Sequence, residues 1–419
     1  MKHYNIIVIG GGPAGLTAAA LLAKGGLNTL VIEKERIGLR PRSWIAWHDE
    51  LVKLGYGNTI INKIDTLTFS SFLGGVYDFK GTSSAIIDTK KLLFVMKDKA
   101  ISASAEIHEL ETFTGAAKSK AGIVVKTDKN SYSADYCVDA SGAYSLLQKK
   151  HSGALAASDF MGCYAVEVDG LKLTGTNRAD IFDAAFPGKD YFWLLPYSAA
   201  KALIGCFFFE ELNNSTIRRA KASLKKYMKL KKLSGTVKTV IKGNIPLMDR
   251  GYLKKERVFF CGDAASAPLP SSGYGLLRSI DEAKVLASDI IKNYKTGKFS
   301  YKKTITDLRY PGYELHYLAS DILKNINDKL LNKAIISMDR EKQEFVANFL
   351  KGDDLSITFV SLIISAIFHA FTPKDLAALA IKKDYKKFLM HVVRVYPNAA
   401  PGVVRKVLRE VAGMVMKKH

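Results

Sequence analysis

Acidic residues are scarce in this chain: 40 Asp and Glu stand against 62 Lys and Arg over 419 residues, a formal net charge of +22. That imbalance predicts attraction to nucleic acid, an anionic membrane surface or a phosphorylated substrate. No arginine-rich or RGG-like tract accompanies it and the lysines are spread along the chain, so nucleic acid is not expected as a partner. Cysteine is scarcer still. Cys137, Cys163, Cys206 and Cys261 form no CxxC pair and stand in apolar, strand-like runs, which argues against a disulfide framework or a zinc site. No metal is expected, and buried free thiols in a reducing cytosol are. A long apolar run is also missing. The longest, 355–371, is broken by Ser356, Thr358, Ser361, Ser365 and His369. It falls short of the ~20 apolar residues that span a bilayer, so it reads as a buried helix. Residues 1–4 lead straight into a strand, which predicts that there is no signal peptide. The expectation is a cytoplasmic protein that could sit peripherally on the inner face of a membrane.

What is present is periodic. Residues 4–9 read as a strand, 14–24 as a helix and 29–33 as a second strand, one βαβ unit. Strand-like runs follow at 66–79, 123–125 and 131–138, with a helix near 90–103 between them. From 160 to 210 short apolar runs are punctuated by Gly, Pro and Asp, a pattern of sheet strands, and a basic helix is expected at 216–231. A buried strand at 257–261 should return to the opening sheet. Beyond Gly273 the sequence reads as helical, punctuated by Pro311, Pro373, Pro397 and Pro401. The fold class expected is α/β: a discontinuous Rossmann-like dinucleotide-binding domain (1–65, 85–150 and 255–295), an inserted β-rich substrate domain (66–84 and 151–254) and a helical C-terminal region (296–419).

Three segments carry the chemistry. Gly10, Gly12 and Gly15 have GxGxxG spacing between a strand and a helix opened by Pro13 and Ala14. The first glycine makes the tight turn, the second lets backbone approach a pyrophosphate, and the third lets helix pack on strand. Glu33, followed by Lys34, ends the next strand where a carboxylate can accept hydrogen bonds from an adenosine ribose. Far downstream, 258–265 is a buried strand running into Gly262-Asp263, with Gly273, Tyr274 and Gly275 at the entry to another helix. Between them lies Asp139-Ala140-Ser141-Gly142-Ala143-Tyr144-Ser145.

The second and third segments resemble the flavin motif and the DxxGxxS segment of the p-hydroxybenzoate-hydroxylase-type flavoproteins. That resemblance implies FAD, with Asp263 at its ribitol and pyrophosphate, Asp139 and Gly142 beside it, and Arg42 against its phosphates. Within that group the chain resembles the branch holding the geranylgeranyl reductases and lycopene cyclases. Residues 191–196 are similar to the YxWxFP substrate motif of the reductases, with Leu195 in place of phenylalanine; 44–50 and 273–279 look like cyclase segments. The chain departs from the cyclases where a catalytic glutamate would stand, because Gly205 or Cys206 falls there and Glu210 and Glu211 come later. It departs from archaeal reductases at Arg42-Ser43, where Arg-Cys is frequent.

The resemblance therefore implies an FAD-dependent oxidoreductase reducing carbon-carbon double bonds of a geranylgeranyl-type lipid or prenyl diphosphate. A cyclase-like flavoenzyme without net redox change is the alternative. A flavin monooxygenase or halogenase follows it, since Trp193 and Pro196 match the halogenase WxWxIP segment. Tyr191 and Trp193, alternate residues on one strand face, would line the substrate tunnel or fill core. A proton would come from water, Tyr191, Tyr274 or His48, and electrons from an external donor, a ferredoxin or a reduced nicotinamide. Lys382, Lys383, Lys386, Lys387, Arg394, Arg405, Lys406 and Arg409 crowd the tail and are expected to attract an anionic membrane or to form a solvated helical surface.

Overall fold

The computed structural model describes residues 1–336, apart from 41, 43, 121, 189, 249–252 and 310–311. The apolar run at 355–371 and the basic tail lie outside the described residues. The chain opens with β1 (His3–Ile9), α1 (Pro13–Lys24) and β2 (Thr29–Glu33), then leaves through β3 (Ile45–Trp47), α2 (His48–Lys53), β4 (Ile60–Ser70) and β5 (Val76–Ile87). It returns through α3 (Thr89–Ser102), β6 (Glu106–Glu109), β7 (Phe113–Lys118), β8 (Ile123–Thr127) and β9 (Ser131–Asp139). After α4 (Leu146–Ser152) come β10 (Phe160–Asp169), β11 (Arg178–Asp183), β12 (Tyr191–Ser198), β13 (Lys201–Phe208), α5 (Asn214–Leu230) and β14 (Thr236–Pro246). The short β15 (Lys254–Lys255) and β16 (Val258–Phe260) precede α6 (Leu276–Asn293), α7 (Tyr301–Arg309), α8 (Gly312–Asn325) and α9 (Asp328–Ile336).

Two sheets result. In the first, β16, β9, β1, β2 and β6 lie side by side in parallel, with β15 at one edge and the β7–β8 hairpin joined to β9. Residues Ile6 to Ile9 of β1 are all buried, as they must be in a strand covered on both faces. Leu16, Ala18, Ala19 and Leu22 of α1 are buried too, and the helix packs beside α6 and α3. The downstream strand β16 joins β9, so the opening sheet is completed by residues more than 220 positions later.

The second sheet has the order β14-β10-β13-β12-β11-β4-β5-β3 and is antiparallel except where β11 runs parallel to β4. Its two faces follow from side-chain alternation. One carries Tyr164, Val166, Phe192, Ile204, Cys206 and Phe208 and is covered by Ala220, Leu224 and Tyr227 of α5. The Phe192 and Tyr227 rings stack there with centroids 4.4 Å apart. The opposite face carries Leu67, Phe69, Phe79, Ala165, Leu195, Leu203 and Phe207 and meets Ile322, Ile326, Leu330 and Leu331 of α8 and the segment leading into and through α9.

The expected boundaries at 65/66 and 84/85 need correction, for they fall inside β4 and β5. Both strands belong wholly to the second sheet, as does β3. Apolar alternation marks a strand but carries no information about which sheet it joins. All four cysteines are free thiols. Among the described residues no helix is long and apolar enough to cross a membrane, and no cluster of side chains could hold a metal ion.

Candidate functional site: a cavity between the two sheets

One cavity of about 880 Å³ runs from the turn after β1 to the apolar face of the second sheet. The turn shapes its polar end. Gly10 has φ +104°, and a Cβ there would lie 2.4 Å from the Ala140 carbonyl oxygen. Gly12 meets nothing within 4 Å of its would-be Cβ and lines the cavity with Gly10, Pro13 and Ala14. Gly12 is also the N-cap of α1 and supplies no side-chain cap. The free amides and partial positive charge of the helix end therefore face open space, the arrangement that receives a phosphate. Gly15 lies behind the turn, its would-be Cβ 2.0 Å from the Gly10 carbonyl oxygen.

Charged side chains surround this cradle. The Glu33 carboxylate accepts from the Gly11 amide at 2.7 Å and the Glu35 amide at 2.9 Å, and Glu33, Lys34 and Arg42 all line the wall. Burial pulls the Arg42 guanidinium below its ordinary pKa, Arg40 adds to the shift, and Asp263 and Glu33 oppose it. Its Nε is buried with no hydrogen-bond partner among the described residues. A donor left in that state is costly unless an anion arrives to accept from it. Across the cavity, burial raises the Asp263 carboxyl above its usual range, with Arg42 acting against the rise.

A second helix end enters from the other side. α6 begins at Gly275 without a side-chain cap, and Gly262, Gly273, Tyr274 and Gly275 are wall residues. The Tyr274 hydroxyl is buried next to the Trp47 backbone. Burial drives its pKa well above the ordinary tyrosine value, so the hydroxyl keeps its proton. Gly142 lies on the wall and Asp139 does not. Asp139 instead secures its own turn, accepting from the Ser141 amide at 3.0 Å, the Ser141 hydroxyl at 2.6 Å and the Ser145 hydroxyl at 2.6 Å.

The apolar end is built on β12 and β13. Trp193 lines the cavity with Leu67, Phe69, Phe79, Leu195 and Phe207, and its indole Nε1 is buried without a partner among the described residues. The ring lies over Gly205, its register partner, so close that a Cβ at 205 would be 2.2 Å from the ring. Glycine at the position where the cyclase resemblance places an acid is thus what seats the indole. We predict that Gly205→Val costs about 1–3 kcal/mol through overpacking and shifts the tryptophan emission. Adding Trp193→Ala should recover most of the loss in denaturant unfolding; no recovery would place the clash elsewhere.

Two expected residues are not on the wall. Tyr191 is fully buried, stacks on Phe182 with centroids 4.4 Å apart, and its hydroxyl donates to the Leu323 carbonyl at 3.1 Å. It shares the face of Trp193 but is a core residue under α8. His48 starts α2 with Nδ1 2.7 Å from Asp49 Oδ1 and is absent from the cavity lining. A pair that sequence reasoning missed does line it: Ser271 and His316 are buried, with Oγ and Nδ1 2.6 Å apart. Forty-five residues separate them, and no local pattern announces their meeting.

The family model described as lycopene cyclase protein matches residues 5–341. The chain belongs to the lycopene cyclase protein family. Within that family setting it is 24% identical over 384 residues to a digeranylgeranylglycerophospholipid reductase of Thermoplasma volcanium, covering 80% of this chain and 91% of that one. Its fold is shared with a geranylgeranyl bacteriochlorophyll reductase-like protein of Thermoplasma acidophilum. That match has a TM-score of 0.73 at 20% identity and covers 88% of this chain and 97% of that one. A flavin-dependent brominase is also similar in fold, with a TM-score of 0.63 at 16% identity and coverage of 92% and 98%. This lycopene cyclase family member therefore has the α/β architecture of flavoproteins, as its glycine turn and its returning strand led us to expect.

Proposed function

We propose that the chain is an FAD-dependent oxidoreductase that reduces carbon-carbon double bonds of a geranylgeranyl-type isoprenoid, presented as a lipid or a prenyl diphosphate. The observation that carries the reading is the continuity of one cavity from a dinucleotide cradle to an apolar sheet face. The cradle fits FAD. It has an open position at Gly12, two uncapped helix ends, and an unpartnered donor at Arg42. In this reading α1 and Arg42 hold the phosphates, Glu33 the adenosine ribose, Asp263 and Gly262 the central region, and the α6 end the ring. Lys34 and Gly142 flank it. When bound, FAD supplies the electrons, which an external donor, a ferredoxin or a reduced nicotinamide, must renew.

The protein's own share is orientation and exclusion of water. Trp193, Phe69, Phe79 and Phe207 form a dry wall against which an isoprenoid chain lies. Tyr274, which lines the same cavity, holds a proton at its hydroxyl. The named reductase relative supports a redox reading. A cyclase-like reading would need an acid near the apolar end, and position 205 has no room for one beneath the indole.

Mass spectrometry tests the reading. The anaerobically reduced protein, given geranylgeranyl-containing lipid, should yield product heavier by two hydrogens per double bond, with reoxidation of the flavin. An isomeric product without reoxidation would overturn it in favour of cyclisation, and reaction only with oxygen in favour of a monooxygenase or halogenase. Tyr274→Phe should slow lipid reduction by about 10²-fold if its hydroxyl delivers the proton, with flavin content unchanged.

A further inference from the structure

Between Asn213 and Gly243 the sequence holds ten Lys and Arg and no Asp or Glu. That stretch is α5 and most of β14, at one edge of the second sheet. The helix is two-sided. Thr216, Ala220, Leu224 and Tyr227 are buried against the sheet. Arg218, Lys221, Lys225 and Lys229 recur three and four residues apart, on the opposite side. All four are exposed, and so are Lys232 and Lys238. Neighbouring Arg219 and Lys231 are engaged, with Asp190 and Glu210, and with Asp183. The six exposed cations have no ion-pair partner among the described residues. Unpaired charge of one sign, held on a rigid helix, is a surface for an extended anion.

Apolar groups interrupt it. Leu230 at the end of α5 is 55% exposed, and Val237 and Val240 on β14 are 47% and 42% exposed. Val240 pairs with Val166 and Val237 with Val168, residues of the cluster that α5 covers. The register thus sets both valines on the α5 side of the sheet, at its open edge. Bare aliphatic side chains among lysines match a bilayer interface, where charge meets headgroups and aliphatic groups enter the acyl boundary. Nucleic acid would be met by aromatic or amide side chains among the cations, and the exposed residues from Arg218 to Lys238 include none, Asn213 and Asn214 standing at the start of α5. The same strand continues into the cavity wall with Ile241, Gly243 and Ile245.

We propose that the face formed by α5 and the outer edge of β14 docks on an anionic lipid bilayer. The docking is independent of the reaction proposed above, since it is read from binding alone, and failure of either leaves the other standing. Each surface cation contributes about a fivefold factor to partitioning onto an anionic leaflet, and salt screens that attraction.

The test uses the full chain and phosphatidylglycerol–phosphatidylcholine vesicles in a sedimentation assay at low and high salt. The triple substitution K221Q/K225Q/K229Q should weaken binding about a hundredfold at low salt, by three such factors. Gln has nearly the helix propensity of Lys, and unchanged circular dichroism would verify the fold. Removing the same charge elsewhere, in K126Q/K129Q/K303Q, should weaken it by less than about tenfold. Leu230→Ser with Val240→Ser should weaken vesicle binding severalfold while leaving duplex DNA binding as it was. Equal losses in the two triple variants, or none, would overturn the proposal. So would tighter binding to duplex DNA than to vesicles, lost in K221Q/K225Q/K229Q, which would assign the face to nucleic acid.

Discussion

Replacing Glu282 with alanine is expected to destabilise the protein by about 3–5 kcal/mol, the usual result of removing one partner of a buried ion pair. Glu282 on α6 and Arg309 on α7 are 1% and 7% exposed at their side chains. Arg309 donates from Nε to Oε1 at 2.8 Å and from a terminal nitrogen to Oε2 at 2.7 Å. Removing the carboxylate takes both of these bonds from a buried guanidinium. Nearby, Asp289 accepts from the Ser300 and Tyr301 amides, and the Tyr301 hydroxyl donates to the Phe260 carbonyl at 2.8 Å. These bonds brace the helix whose first turn enters the cavity. Urea unfolding followed by circular dichroism should rank Glu282→Ala well below Glu282→Gln. The double variant E282L/R309M should lie near the wild type, because a well-packed apolar pair can replace a buried ion pair at little cost. A double variant as unstable as Glu282→Ala would show that packing, and not the broken ion pair, dominates.

The parts of the site that were legible in the sequence are those where chemistry dictates backbone. The turn at Gly10, Gly12 and Gly15 could be read because a helix end approached by phosphate needs glycines at fixed offsets, next to a strand visible from its apolar run. The β16–Gly262–Asp263 segment was legible for the same reason. Where side chains choose among partners, local reading failed. Asp139 looks like a ligand and instead accepts three hydrogen bonds within its own loop, the habit of aspartate at turns. Alternation placed Tyr191 and Trp193 on one face, correctly, but could not reveal that Phe182 and the α8 backbone cover Tyr191 while Trp193 stays on the wall. His316 and Ser271 meet only because α8 folds back on the loop before α6, a long-range event with no local signature. The interleaving of β3, β4 and β5 into the second sheet was hidden likewise, since strand periodicity is blind to sheet membership.

Gly12 and Gly15 separate cofactor binding from folding, and their substitution should have opposite outcomes. Gly12 has φ −80° and ψ −178°, open to any residue, and its missing Cβ faces empty space. A glutamate there needs no rearrangement, and its carboxylate would lie at the α1 N-terminus, where negative charge stabilises a helix by about 0.3–1 kcal/mol. The same carboxylate would occupy the position assigned to the pyrophosphate and repel it. Gly12→Glu is therefore expected to give a soluble, folded protein that purifies without flavin, its Kd for FAD raised at least about tenfold if binding loses ~1.4 kcal/mol or more. Gly15→Ala would force a Cβ to 2.0 Å from the Gly10 carbonyl oxygen, backbone against side chain with no flexible end to give way, so helix and strand must part. That variant should fail to reach the native fold, seen as loss of the cooperative thermal transition. Absorbance spectra of the two purified proteins, with and without added FAD, make the comparison. Full flavin content in Gly12→Glu would remove the phosphates from the end of α1, and the assignments of Glu33 and Arg42 would go with them.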